Sequence, residues 1–127
     1  MSRRVTLAAF SVALFLAACS SGVAATTDRV DLDEFSIGTN SSRWAAGPVT
    51  LTVENVGERT HTLIITEADG TVVAATDILD PGQAADLEVH LQPGEYELTC
   101  RIVVEGGEGQ IFDHYEQGMR TSISVEA

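Results

Sequence analysis

Two thiols, three imidazoles and one internal thioether hold most of the chemistry open to this 127-residue chain. Cys19 follows a basic start, Arg3-Arg4, an apolar run from Val5 to Leu16 and the small residues Ala17-Ala18. That order is a secretory signal, and the run is shorter than the ~20 apolar residues needed to cross a bilayer core. Exported proteins usually pair their thiols, so a Cys19 committed elsewhere leaves Cys100 odd. A lone exported thiol is either buried and inert, or a ligand or nucleophile.

The segment Leu16-Ala17-Ala18-Cys19 resembles the bacterial lipobox, in which cleavage falls just before a cysteine that then carries diacylglycerol. The resemblance implies that residues 1–18 are removed and that Cys19 is lipidated. The chain is then held at the cell membrane, facing the extracytoplasmic side, with membrane lipid as its first partner. Arg3-Arg4 also looks like a minimal twin-arginine export signal. Residues 19–29 are small, polar and aperiodic, a tether reaching at most about 35 Å.

The histidines differ in kind. His90 falls on the acidic, outward side of Asp86–Leu91, where an exposed structural role is expected. His61 follows the turn at residues 55–60 and starts an apolar strand, Cys100 ends another, and His114 and Met119 sit in the last loop before the final strand. Two imidazoles, a thiolate and a distant thioether converging at one end of a fold give the trigonal His₂Cys set with a weak axial Met that favours copper. Thr62 is placed to donate a hydrogen bond to the sulfur. A nucleophilic Cys–His pair is disfavoured, because no glycine-rich oxyanion loop or orienting Asn accompanies it. There is no Cys-x-x-Cys-His for covalent haem.

The elements that must position these donors are strands. Val49, Leu51 and Val53, then Leu87, Val89 and Leu91, then Tyr96, Leu98 and Cys100 alternate with polar residues, the period of half-buried β-structure. Thr121–Val125 repeats it, and Val30–Ile37, His61–Thr66 and Thr71–Thr76 add three more. Turn residues stand between them, as at Asp80-Pro81-Gly82 and Gln92-Pro93-Gly94. The expected fold class is all-β, a Greek-key sandwich of seven to eight strands over residues 30–127, with a helical turn or two at most near residues 40–44.

Ala46–Asn55, His61, Pro93–Cys100 and His114–Met119, taken in order, resemble the cupredoxins, the small blue copper proteins. The resemblance covers almost the whole domain. It implies a copper site at the loop end of the sandwich, one ion cycling between Cu(I) and Cu(II), with His61, Cys100, His114 and Met119 on the four ligand positions. One departure stands out: thirteen residues separate Cys100 from His114, where familiar cupredoxins have only a few. Residues 101–105 and 110–113 flank a glycine-rich turn, so the insertion is expected to fold as a hairpin that returns His114 beside Cys100.

Charge narrows the partners. After loss of the leader, five arginines face nineteen acids with no lysine, a net of −14, which repels nucleic acid and anionic headgroups. The leading expectation is therefore a tethered, monomeric one-electron carrier, not an enzyme, serving a membrane or extracytoplasmic redox or copper-handling protein. Two others stand beside it: copper capture or delivery, and a metal-free interaction module using the inserted hairpin. Since histidine must be neutral to bind, the site is expected to weaken below about pH 6.5.

Overall fold

The computed structural model describes residues 25–127; the expected leader, Cys19 and the start of the expected tether lie outside them. Two sheets face each other. The first has the order β2-β1-β4-β7, made of Ser36–Thr39, Thr26–Asp33, Gly47–Asn55 and Ala84–Leu91. The second has the order β3-β11-β8-β5-β6, made of Arg43–Ala45, Arg120–Glu126, Gly94–Thr99, Ile64–Glu67 and Val72–Ala75. The remaining two strands, β9 (Val103–Glu105) and β10 (Ile111–Asp113), pair only with each other.

Alternation builds the core as the sequence suggests. Along β4, Val49, Leu51 and Val53 are buried while Pro48 and Thr52 are exposed. They meet Val30 and Leu32 of β1 and, across the interior, Leu63, Ile65, Leu98, Ile123 and Val125. Strands β7 and β8 lie in opposite sheets, so the turn at Gln92-Pro93 carries the chain from one layer to the other. The fold is the expected all-β Greek-key sandwich.

Several details differ from the sequence reading. There are eleven strands among the described residues: Val30–Ile37 is not one strand but two, broken at residues 34–35, and β3, β9 and β10 add three more. Residues 26–29, expected to be aperiodic, belong to the domain instead: Thr26–Arg29 pair in parallel with Val49–Thr52. No helical turn forms near residues 40–44; β3 runs there beside β11. The only helical element among the described residues is a single 3₁₀ turn, Gly107–Gly109, at the tip of the β9–β10 hairpin.

A long-range contact accounts for β3. The buried Asp28 carboxylate accepts hydrogen bonds from the Arg29 and Asn40 backbone N–H groups at Oδ1 (2.7 and 3.2 Å). Its Oδ2 accepts from Ser41 N at 3.2 Å and from the Trp44 indole N–H at 2.8 Å. One carboxylate thus ties β1 of the first sheet to β3 of the second, and satisfies an indole that would otherwise be buried unpaired. Asp28→Ala is expected to lower the stability of the metal-free domain by about 2–4 kcal/mol, chiefly by orphaning those donors. Urea unfolding checks it: the midpoint should fall at unchanged slope, and an unshifted midpoint would contradict the assignment.

Candidate metal centre

Three strand ends meet at one end of the sandwich. Cys100 is the first residue after β8, and its fully buried sulfur closes the inward series of Tyr96 and Leu98. His61 stands three residues before β5 and is also fully buried; its backbone exchanges two hydrogen bonds with Leu79, N to O at 3.0 Å and O from N at 2.8 Å. Asn55 shapes the loop leading to it. Its buried amide donates to the Arg59 and Leu79 carbonyls (2.7 and 2.8 Å) and accepts from Gly57 N at 3.0 Å, which fixes the turn.

The thirteen-residue insertion forms the expected hairpin, with Glu105 opposite Ile111 and Val103 opposite Asp113. His114 N donates to Ile102 O at 3.0 Å, so the returning strand is stitched to the departing one beside Cys100. A tight turn follows: the Asp113 carboxylate accepts from Tyr115 N and Glu116 N (3.0 and 3.2 Å), and the Tyr115 ring lies between the guanidiniums of Arg101 and Arg120. Gly118, at φ +106°, takes a backbone conformation closed to most side chains and turns the chain back. Met119 N then donates to His114 O (3.0 Å) and Met119 O accepts from Cys100 N (3.1 Å), with the Met119 side chain fully buried.

The structure therefore brings His61, Cys100 and His114 together and ties Met119 to two of them through the backbone. The donor atoms of the three lie within 4.8 Å of one another. Cys100 Sγ is 3.5 Å from His114 Nδ1 and 4.0 Å from His61 Nδ1. One ion with a thiolate bond of about 2.3 Å and imidazole bonds of about 2.0 Å needs sulfur–nitrogen separations of roughly 3.5–3.7 Å, so the set fits a single metal in trigonal to tetrahedral geometry. A thiolate with two imidazoles suits copper, and the cluster fits one copper ion.

The surroundings match the donors. The Thr62 backbone N–H points at Cys100 Sγ from 3.5 Å, with its hydroxyl at 4.0 Å, so Thr62 does face the sulfur. His90 is exposed on β7, away from the cluster, in line with the reading that set it aside. His114 is fully buried, with Phe35 edge-on at 5.0 Å between ring centroids and His61 at the same distance. Its Nε2 has no hydrogen-bond partner among the described residues.

Sequence reading missed Glu34. From the break between β1 and β2 its Oε1 accepts from Glu58 N (3.0 Å), Arg59 N (2.8 Å) and His61 Nε2 (2.9 Å). Burial pushes this carboxyl up, but the hydrogen bonds from Glu58, His61 and Arg59 outweigh it and bring its pKa down to about 2. An ionised carboxylate only accepts, so His61 donates its Nε2–H to Glu34 while Nδ1 faces Cys100 Sγ. Nothing local marks Glu34 among nineteen acids; it stands 27 residues from His61.

Comparison with known proteins agrees with this fold. The cupredoxin-like domain family matches residues 6–112, ending just before His114. No curated protein matches by sequence. Among solved structures, a reduced auracyanin from Roseiflexus castenholzii is similar at 19% identity and TM-score 0.62, over 80% of this chain and 98% of that one. Auracyanin A from Chloroflexus aurantiacus, described as a "blue" copper protein, is similar at 13% identity and TM-score 0.61, over 81% and 100%. Rusticyanin from Thiobacillus ferrooxidans is similar at 20% identity and TM-score 0.62, over 84% and 79%.

The burial of His114 has a consequence for pH. Burial first, then the neighbouring His61 and Arg59, lower its pKa below the ordinary 6.5, against the opposing pull of Glu34 and Asp113. The folded chain holds this ring neutral where the unfolded chain protonates it. Its contribution to stability is thus present above about pH 6.5 and lost as pH falls toward the depressed native value. Metal-free protein should lower its urea midpoint more between pH 7.5 and 5 than His114→Leu does; parallel curves would contradict this.

Proposed function

We propose that this chain, which belongs to the cupredoxin-like domain family, is a membrane-tethered one-electron carrier working through one copper ion. The observation that carries the reading is the buried convergence of His61, Cys100 and His114 within 4.8 Å. In it, His61 Nδ1, Cys100 Sγ and His114 Nδ1 would hold the metal, and the buried Met119 would offer a weak thioether. Copper, when bound, supplies the one-electron couple between Cu(I) and Cu(II).

The chain's own part is rigidity and exclusion of water. Cys100, Met119 and His114 are linked in a backbone chain of hydrogen bonds, Cys100 N to Met119 O and Met119 N to His114 O, and His61 is clamped to Leu79. Donors fixed this way resist the square geometry Cu(II) would otherwise choose, so little must move when the electron arrives or leaves. The Thr62 N–H aimed at the sulfur withdraws electron density from the thiolate and so helps set the potential. Full burial of all three donors argues for a retained ion rather than a delivered one.

Position serves the same end. Lipidation of Cys19 would hold the domain at the extracytoplasmic face of the cell membrane, and pairing of β1 from Thr26 onward leaves few residues of tether. A carrier so held suits a neighbouring membrane redox partner. The acidic surface, −14 without the leader, favours a partner with a cationic docking face.

The test is one titration. Purified protein mixed with stoichiometric Cu(II) should develop an intense visible thiolate-to-copper band, absent in Cys100→Ala, and release copper slowly to a chelator. Met119→Leu should keep the band and raise the reduction potential, since a donor to Cu(II) is removed. No colour and no heat of binding would contradict the copper reading. Rapid copper loss to the chelator would favour capture or delivery over electron transfer.

A further inference from the structure

The copper reading of the site leaves one polar contact unexplained: why a carboxylate, rather than a backbone carbonyl, takes the outer nitrogen of His61. Glu34 gives up hydration to do so; its side chain is 22% exposed, and its Oε1 gathers three N–H donors from Glu58, Arg59 and His61. Glu34 sits between β1 and β2 in the first sheet, while His61 leads into β5 of the second, so the contact spans the sandwich. Gly57 makes room for it: a Cβ there would stand 2.5 Å from Glu34 Oε1.

We propose that Glu34 is a positioning residue for the copper site, holding His61 in the tautomer with Nδ1 free to bind and placing a fixed negative charge behind that ligand. The two effects separate chemically. A carboxylate acceptor at Nε2 fixes the ring's proton and orientation whether or not metal is bound, because the other ring nitrogen is then left with its lone pair. A net negative charge one imidazole away stabilises Cu(II) over Cu(I), because the extra positive charge of the oxidised ion is the part it attracts. Glu34 thereby lowers the reduction potential. Arg59 donates only its backbone N–H to Glu34, so that hydrogen bond leaves the carboxylate its net charge.

Two substitutions distinguish charge from contact. Glu34→Gln keeps an oxygen at the Oε1 position for all three donors and removes the charge; the Oε2 atom it alters makes only a shared contact with Glu58 N at 3.1 Å. Gly57→Ala keeps the charge but forces the carboxylate off its present place. Two readouts are needed. Imidazole nitrogen chemical shifts in metal-free protein report which nitrogen of His61 bears the proton, and voltammetry of copper-loaded protein reports the potential.

The wild-type copper band, recorded first, tests the copper reading by itself; the metal-free nitrogen shifts answer for Glu34 whatever that outcome. In wild-type protein the His61 proton should be on Nε2. Glu34→Gln should retain that tautomer and the band while raising the ratio of Cu(I) to Cu(II) affinity roughly tenfold, about 59 mV for one electron. Gly57→Ala should broaden or mix the His61 tautomers. An unchanged potential in Glu34→Gln, a wild-type His61 protonated on Nδ1, or an unaltered tautomer in Gly57→Ala would overturn the proposal.

Discussion

A thiol and two imidazoles share one buried end of the sandwich, and burying three such groups together sets the terms for everything around them. Polar side chains at zero exposure need partners or a metal, and the partners here are few. Thr62 faces the sulfur, Glu34 takes the outer nitrogen of His61, and the outer nitrogen of His114 has no partner among the described residues. In the ring state in which His114 Nδ1 binds metal, that outer nitrogen carries a proton with no acceptor among the described residues, and a buried donor left so costs roughly 1–3 kcal/mol. A bound ion on the other side of the ring would offset it.

The fold around the cluster works by backbone closure. No donor lies deep within a regular strand: Cys100 is just past one, His61 just before another, and His114 at the mouth of a hairpin. Such positions are free to turn inward only because hydrogen bonds fix them, and the Asn55 amide, the His61–Leu79 bridge and the Cys100–Met119–His114 backbone chain supply these. The hairpin between Cys100 and His114 replaces what a short loop would do. It costs little, because loop closure grows slowly with length once the strands pair. It also carries exposed Val103 and Ile111 away from the sandwich, beside acidic Glu105.

Much of this was legible in the sequence, and the illegible parts share a cause. The alternation in β4 and β8, the spacing of donors and the glycine-rich turn within the insertion are local signals, and they led to the sandwich, the four candidate residues and the hairpin. The break at residues 34–35 carries no Gly, Pro or Asn, so Val30–Ile37 reads as one strand. Strand β3 depends on Trp44 reaching Asp28 sixteen residues away, and Glu34 on reaching His61 across the interior. The parallel pairing that draws Thr26–Arg29 into the first sheet is likewise set by β4, not by the residues themselves. Contacts of that range leave no periodicity behind.

The cluster's meaning rests on a single ion shared by residues far apart in the chain. X-ray absorption at the copper edge, on purified protein loaded with one equivalent, tests that most directly. The account predicts one short copper–sulfur bond and two imidazole nitrogens in both oxidation states, with bond lengths changing little between them. A spectrum showing only nitrogen and oxygen around the metal, or a coordination number that changes on reduction, would contradict it.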